Sequence, residues 1–320
     1  MNSYLLRRVP SALGVIIVGS IVVFALLHLI PGDPAQVIAG GDAGPDAVAA
    51  LREKLGLDAP LWQQYFSWIG SVLTFRLGDS LVLGGTISSL VLEAAGNTAA
   101  LAGTALLFAV LLGALFGIIP ELIDRRWARS VATAYNTLAI AIPNFVVGTV
   151  LIVAFGVLLI VLPAGGIPRD GLAADPGITF QFLLLPALCL ALPIGAALSR
   201  FLNEAITGEL SQPYVTTALA LGIRRRRIIT TQILPNALPP ALTVLGIQIG
   251  QLFGGAVIVE ALFAWPGLGY LAQQAIAGRD YPVVQVILVL SVAVFVLVQL
   301  ATDIAHASLD PRVRTKEAAA

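Results

Sequence analysis

The side chains able to do covalent or acid–base chemistry are few in this chain, and their spacing is wrong for catalysis. There are two histidines, His28 and His306, one cysteine, Cys189, and two lysines, Lys54 and Lys316. Neither lysine follows a glycine, so no G-x-x-x-x-G-K-[ST] loop exists to cradle a nucleotide phosphate. No H-E-x-x-H pair offers metal ligands, and no G-x-S-x-G elbow offers a nucleophile. Cys189 lies in an apolar run, where burial disfavours the thiolate and leaves the thiol inert. One cysteine also excludes an internal disulfide framework and a multi-cysteine metal site. The groups that remain act by charge and hydrogen bonding. Glu260 and Asp303 stand in apolar runs, Gln248 and Gln251 precede Glu260, and Arg224, Arg225, Arg226 and Arg227 stand in a row. An ionisable group inside a membrane span is a functional-site hypothesis. Glu260 has two readings. It pairs with a neighbouring helix or subunit, or it lines a path with Gln248 and Gln251, where a carboxylate binds a solute's amino group. Asp303 and His28 read as interfacial residues near span ends.

The elements that must position these groups are helical. The chain has 320 residues, 58% of them hydrophobic and 11% charged, with a mean hydropathy of +0.93. Soluble domains carry about 25% charged residues, so the composition is that of an all-α polytopic membrane protein. A formal net charge of zero gives no electrostatic footprint for nucleic acid. Val9 to Ile30 forms the first apolar run. It is longer than the ~7–15 residues of a signal-peptide core, so an uncleaved helix is expected. The remaining spans are predicted at Thr98 to Ile119, Val131 to Leu162 with Pro143 inside, Phe182 to Leu202, Leu238 to Phe263 and Val283 to Ala301, six in all. The segment from Pro31 to Asn97 is more polar. It holds two short amphipathic helices, the second from Pro60 to Leu73 with Trp62, Tyr65, Phe66 and Trp68. Those aromatics suit a membrane interface, the core of a small cap, or a partner surface. Gly246, Gly250, Gly254 and Gly255 give the fifth span a small-residue stripe for close helix contact.

Charge sets the expected orientation. With six spans, both termini share a side with the second-to-third and fourth-to-fifth loops. That side carries 13 of the 18 basic residues, and the positive-inside rule makes it cytoplasmic. The division expected along the chain is a first helix at 1–30, an extracytoplasmic region at 31–97, a membrane core at 98–305 and a cytoplasmic tail at 306–320.

The longest interruption of the apolar C-terminal half is Ser211 to Pro235, SQPYVTTALALGIRRRRIITTQILP. Pro213 suits a first helical turn, with Ser211 or Gln212 before it as a cap. Tyr214, Ala218 and Leu221 fall at i, i+4, i+7, on one predicted stripe. Gly222 then ends the helix by entering the left-handed region. The arginines open a second, basic helix, with each arginine read as an exposed charge. An apolar face on a small water-exposed helix needs a partner.

Ala218, Gly222, Ile233, Leu234 and Pro235 resemble the cytoplasmic EAA loop of the membrane subunits of ABC importers. ALTVLGIQIGQLFGGAVIVEALFAWPGLG at 241–269 is similar to permeases of the dipeptide/oligopeptide branch, as are LIPGDPA, LREKLGLDAPLWQQY, IPNF and LDPRVR elsewhere. The chain departs from the family loop at Thr216 and Thr217, where Glu and Ala are frequent, and at Leu219, where this branch often has Arg. The resemblance implies the type I permease fold in a bacterial inner membrane. It implies a second permease subunit completing the pore as a heterodimer, two ATPase subunits that bind the ATP and Mg, and an extracytoplasmic solute-binding protein. It also implies that Tyr214, Thr217, Ala218, Leu221, Gly222, Arg224 and Arg225 form the ATPase-coupling surface. This chain itself would hold no cofactor, no metal and no catalytic residue. Small peptides are the expected solute, with nickel complexes, glutathione or oligosaccharides as alternatives on the same machinery. An ion-coupled secondary transporter is the competing class; it tends to show an internal repeat and midplane charges, and neither is evident here. An intramembrane enzyme lacks its constellation. ATP-dependent uptake separates the first two classes.

Overall fold

Proline and glycine decide where the helices of this protein begin, bend and stop. The computed structural model describes residues 2–29, 35–36, 44–54 and 56–309. In chain order the helices are α1 (Asn2–His28), α2 (Pro45–Lys54), α3 (Leu61–Leu73), α4 (Ile87–Ile123), α5 (Arg126–Ala141), α6 (Asn144–Leu151), α7 (Pro176–Leu210), α8 (Pro213–Ala220), α9 (Arg225–Ile228), α10 (Leu234–Leu262), α11 (Leu268–Ala277) and α12 (Tyr281–Leu309). Wider π-helical turns extend α6 through Ile152–Leu158 and join α9 to α10 through Ile229–Ile233. Among the described residues, five helices are long and apolar enough to cross a membrane, and the bent pair α5–α6 makes a sixth if it counts as one span.

Three expected boundaries are corrected. The second span begins at Ile87 rather than Thr98, since no proline falls between Ile87 and Asn97 and the helix runs through Gly96. The third span is two helices meeting at 106°, where a single tolerated kink was expected. Pro143 has no N–H for the preceding turn, and it forces Ile142 into extended geometry at φ −90°, ψ 124°. The fifth span does not start afresh at Leu238: helix runs unbroken from Arg225 to Leu262. Its π turns free carbonyls, and side chains take them up. Thr230 Oγ1 donates to Arg226 O at 3.1 Å and Thr231 Oγ1 to Arg227 O at 2.6 Å.

The chain divides into two units, with boundaries inside α4 after Gly96, in the turn after Pro266 and inside α12 after Leu297. One unit holds Asn97–Pro266 and the chain from Val298 onward. Its central element is α7, with 67% of its apolar window buried. Asp175 starts this helix, its Oδ1 accepting from Gly177 N at 2.8 Å and Ile178 N at 3.1 Å, with Pro176 at the first position. Leu101, Ala105 and Ala109 of α4 pack on Leu185, Leu190 and Ile194 of α7 and on Val259 and Phe263. Gly117 lets α4 and α7 come close: a Cβ there would sit 2.9 Å from Leu202 Cβ and 3.0 Å from Ser199 O.

The other unit holds Asn2–Gly96 and Gly267–Leu297. Here α3 lies along α1, with Tyr65 OH and Ser20 Oγ 2.8 Å apart. Phe24 packs on Tyr65 and Trp68 at ring distances of 5.5 and 5.8 Å. Trp62 and Phe66 face outward. The four aromatics therefore split, two packing on α1 and two facing out. A second anchor is Asp280, fully buried before α12. Its Oδ2 accepts from Ser80 Oγ at 2.5 Å and from Leu81 N and Val82 N, each at 3.1 Å, and so pins the loop before α4.

Candidate functional site

The segment from Ser211 to Pro235 is built as a helix, a glycine stop and a basic helix. Pro213 supplies the first turn of α8, and Gln212 stands at the cap without a side-chain bond. The end of α8 is a Schellman motif. Gly222 N donates to Leu219 O at 2.9 Å and Ile223 N to Ala218 O at 3.1 Å, with Gly222 at φ +80°. Ile223 and Ala218 share one apolar cluster, the contact that usually accompanies this motif.

The stripe predicted from Tyr214, Ala218 and Leu221 is redrawn by the structure. Ala218 turns inward beside Val215, against Ile206, Ile228, Ile229 and Ile233. The outward face carries Tyr214, Thr217 and Leu221, with Leu221 75% exposed at the helix end. Sequence spacing alone missed Val215 because both faces of α8 carry apolar residues, and only the packing partners tell them apart. Tyr214 OH donates to Glu209 Oε2 at 2.7 Å. Partial desolvation raises the Tyr214 hydroxyl above its ordinary pKa, and the Glu209 carboxylate adds to that. It is a neutral, oriented group at neutral pH.

The four arginines are not equivalent, as the sequence had them. Arg224, Arg226 and Arg227 are exposed. Arg225 reaches back to α4, its Nη2 lying 3.1 Å from Glu121 Oε2. Arg129 of α5 binds the same carboxylate through Nε at 3.0 Å and Nη2 at 3.1 Å. No motif marks Glu121; its place in the run ELIDRRWAR hid it among solvent-side charges.

Glu260 sits at the opposite end of α10, with its side chain wholly enclosed. Thr98 Oγ1 donates to its Oε1 at 2.7 Å. Around it, Trp265 Nε1 donates to Asn97 O at 2.9 Å and Asn97 Nδ2 to Pro266 O at 2.9 Å. The AWPG turn, in which Ala264 is left-handed at φ 47°, is thus tied to α4 by two hydrogen bonds, and Glu260 at the end of α10 adds a third. Gln248 is half-buried on α10. The side chains of Gln251, His28, Asp303 and His306 lie outside the described residues. On the glycine stripe, a Cβ at Gly254 would meet open space, while one at Gly255 would lie 3.7 Å from Asn144 and Leu190. Cys189 Sγ donates to Asn144 O at 3.1 Å. Among the described residues, no group of three metal-binding side chains forms.

Known proteins resemble the chain over nearly its whole length. Residues 109–315 match the family described as the binding-protein-dependent transport system inner membrane component, and residues 1–82 match that family's N-terminal model. The glutathione transport system permease protein GsiC of Salmonella choleraesuis (strain SC-B67) is 34% identical over 316 residues, which are 99% of this chain and 100% of that protein. Its counterpart in Escherichia coli (strain K12) is 33% identical over the same span. A structure of the MetNI methionine ABC transporter in an inward-facing conformation aligns with 69% of this chain and 96% of its own. Its TM-score is 0.56 at 19% identity, a likeness of fold. The expected type I permease fold stands, and ABC importer permeases of this family work with ATPase and binding-protein partners. With a helical architecture of five or six apolar spans and a capped, outward-facing loop helix, the chain belongs to the binding-protein-dependent transport system inner membrane components, as a permease subunit of an ABC importer.

Proposed function

We propose that this chain forms half of the translocation pathway for small peptides of about glutathione's size. A second permease subunit completes the pore, two ATPase subunits dock from the cytoplasm, and a solute-binding protein delivers from outside. The observation that carries the solute class is the 34% identity over 99% of the chain to a glutathione permease. The ATP and Mg belong to the docked subunits, since this chain has no phosphate-cradling loop. The outward face of Tyr214, Thr217 and Leu221, with Gly222 fixing its end and Arg224 beside it, is the docking surface. Ala218 and Arg225 hold that surface from behind. For Glu260, its full enclosure and its bond to Thr98 support the pairing role, which leaves Gln248 and Gln251 as the path-lining candidates on α10. The test is uptake by the complete complex in proteoliposomes. Labelled glutathione and di- to tetrapeptides should enter only with ATP and the binding protein present. Uptake driven by an ion gradient without ATP would reject the proposal, as would a binding protein whose bound solute is a metal complex or a sugar.

The orientation proposed has both termini in the cytoplasm. In a Cys189→Ala background, Ala174→Cys and Ala277→Cys should react with an impermeant thiol reagent in intact cells. Arg126→Cys should react only after the membrane is opened. All three sites are exposed in the chain, so access depends on sidedness. Labelling of Arg126→Cys from outside would reverse the topology.

A further inference from the structure

A carboxylate at the last turn of α4 joins three elements, α4 itself, α5 and α9. The Glu121 side chain is 5% exposed, yet it faces Arg129 from α5 and Arg225 from α9. Asp124 stands in the turn between α4 and α5 at φ 53°. It lies 2.6 Å from Arg129 Nη2 and, at ion-pair range, 3.8 Å from Arg225 Nε. Two carboxylates thus meet two guanidinium groups, and the cluster closes without net charge. A charge-assisted bond to a planar guanidinium fixes direction as well as distance. The apolar cluster beneath the loop, made by Ile206, Val215, Ala218, Ile228 and Ile233, has no such direction. Arg225 is also the first residue of the unbroken helical run to Leu262.

We propose that Glu121 is a positioning residue for energy coupling. It fastens the start of the α9–α10 run to the α4–α5 turn. A displacement of the docking loop then reaches the ends of α4 and α5 together with α10. This inference rests on the docking role assigned above to the 211–235 segment. The distinction from simple stabilisation lies in what is lost. A link that transmits motion, once cut, leaves the ATPases bound and hydrolysing while the solute no longer moves.

The test uses the complete complex in proteoliposomes. It measures uptake of the solute that the wild-type complex imports, ATPase stimulation by loaded binding protein, and ATPase co-purification. Glu121→Gln and Arg225→Gln should each retain the ATPase subunits, lower uptake at least tenfold, and raise ATP consumed per solute at least fivefold. The double variant should be no worse than either single one, because both remove one shared interaction. Arg225→Lys, which keeps the charge, should recover uptake to within about threefold of wild type. Wild-type uptake by Glu121→Gln, or losses that multiply in the double variant, would overturn the link. So would loss of assembly in both single variants with no change in ATP consumed per solute. Failure of the docking role itself shows elsewhere, as full uptake by Leu221→Asp.

Discussion

Leu221→Asp and Gly222→Val should each abolish solute uptake while the chain still inserts and accumulates in the membrane. Neither residue lies in a span, so insertion is untouched. Leu221 is 75% exposed and makes the outermost apolar point of the loop. Once a partner covers it, an aspartate there becomes a desolvated, unpaired charge, at a cost of several kcal/mol. Gly222 works differently. At φ +80° it sits where a β-branched side chain is sterically excluded, and valine must unwind the Schellman bonds to Leu219 and Ala218. The loop then presents Leu221 in the wrong place. Membrane level, ATPase co-purification and uptake are the three measurements. Leu221→Asp should lose the ATPases. Gly222→Val should lose them or keep them uncoupled. Full uptake by Leu221→Asp with ATPases still bound would remove this surface from the mechanism.

Trp265→Ala should be the most damaging single change to folding. The indole is fully buried in the core of its unit, against the residues that also enclose Phe263 and Val259. Truncating a buried aromatic to alanine costs about 3–5 kcal/mol. The lost bond to Asn97 O adds about 0.5–1.5 kcal/mol, while that carbonyl keeps its place in the α4 helix. That total approaches the ~5–15 kcal/mol by which ordinary domains are stable. Little folded chain should be recovered from detergent extracts, and the melting temperature of the remainder should drop sharply. Trp265→Phe, which fills most of the space, should recover much of the yield. Glu260→Gln makes the companion case. Its amide oxygen still accepts from Thr98, so assembly should remain within about twofold of wild type. A melting temperature unchanged in Trp265→Ala would show that the AWPG turn does not anchor this core.

Much of this was legible in the sequence, and for identifiable reasons. Apolar runs of about 20 residues announce spans because a bilayer leaves the backbone no other solution. Gly222 announced its own conformation, because few other residues tolerate it. The parts that stayed hidden depend on which neighbour a residue meets. Pro143 breaks its helix outright, while Pro186 and Pro193 sit inside the continuous α7. Local sequence reads all three alike; α7 is enclosed by partners, among them Tyr135, whose OH donates to Leu192 O at 2.8 Å. Val215 and Ala218 were indistinguishable from the outward residues until Ile206 and Ile233 were placed beneath them. Arg225 looked like one of four exposed charges, and Glu121 like a loop acid, because an ion pair 104 positions apart leaves no local trace.

The unbroken run from Arg225 to Leu262 also has a lever's arithmetic. At ~1.5 Å per residue it is roughly 55 Å long, nearly twice the ~30 Å of a bilayer's hydrocarbon. A tilt of about 10° about one end would carry the other through roughly 10 Å. The loop end of such an arm sweeps far for a small angular change in the membrane, and the reverse stroke gains force as it loses travel. Shortening the run by one helical turn near Arg225 would therefore alter the gearing between the loop and the membrane end of the arm, in addition to removing the Arg225, Ile228 and Ile229 contacts at its loop end.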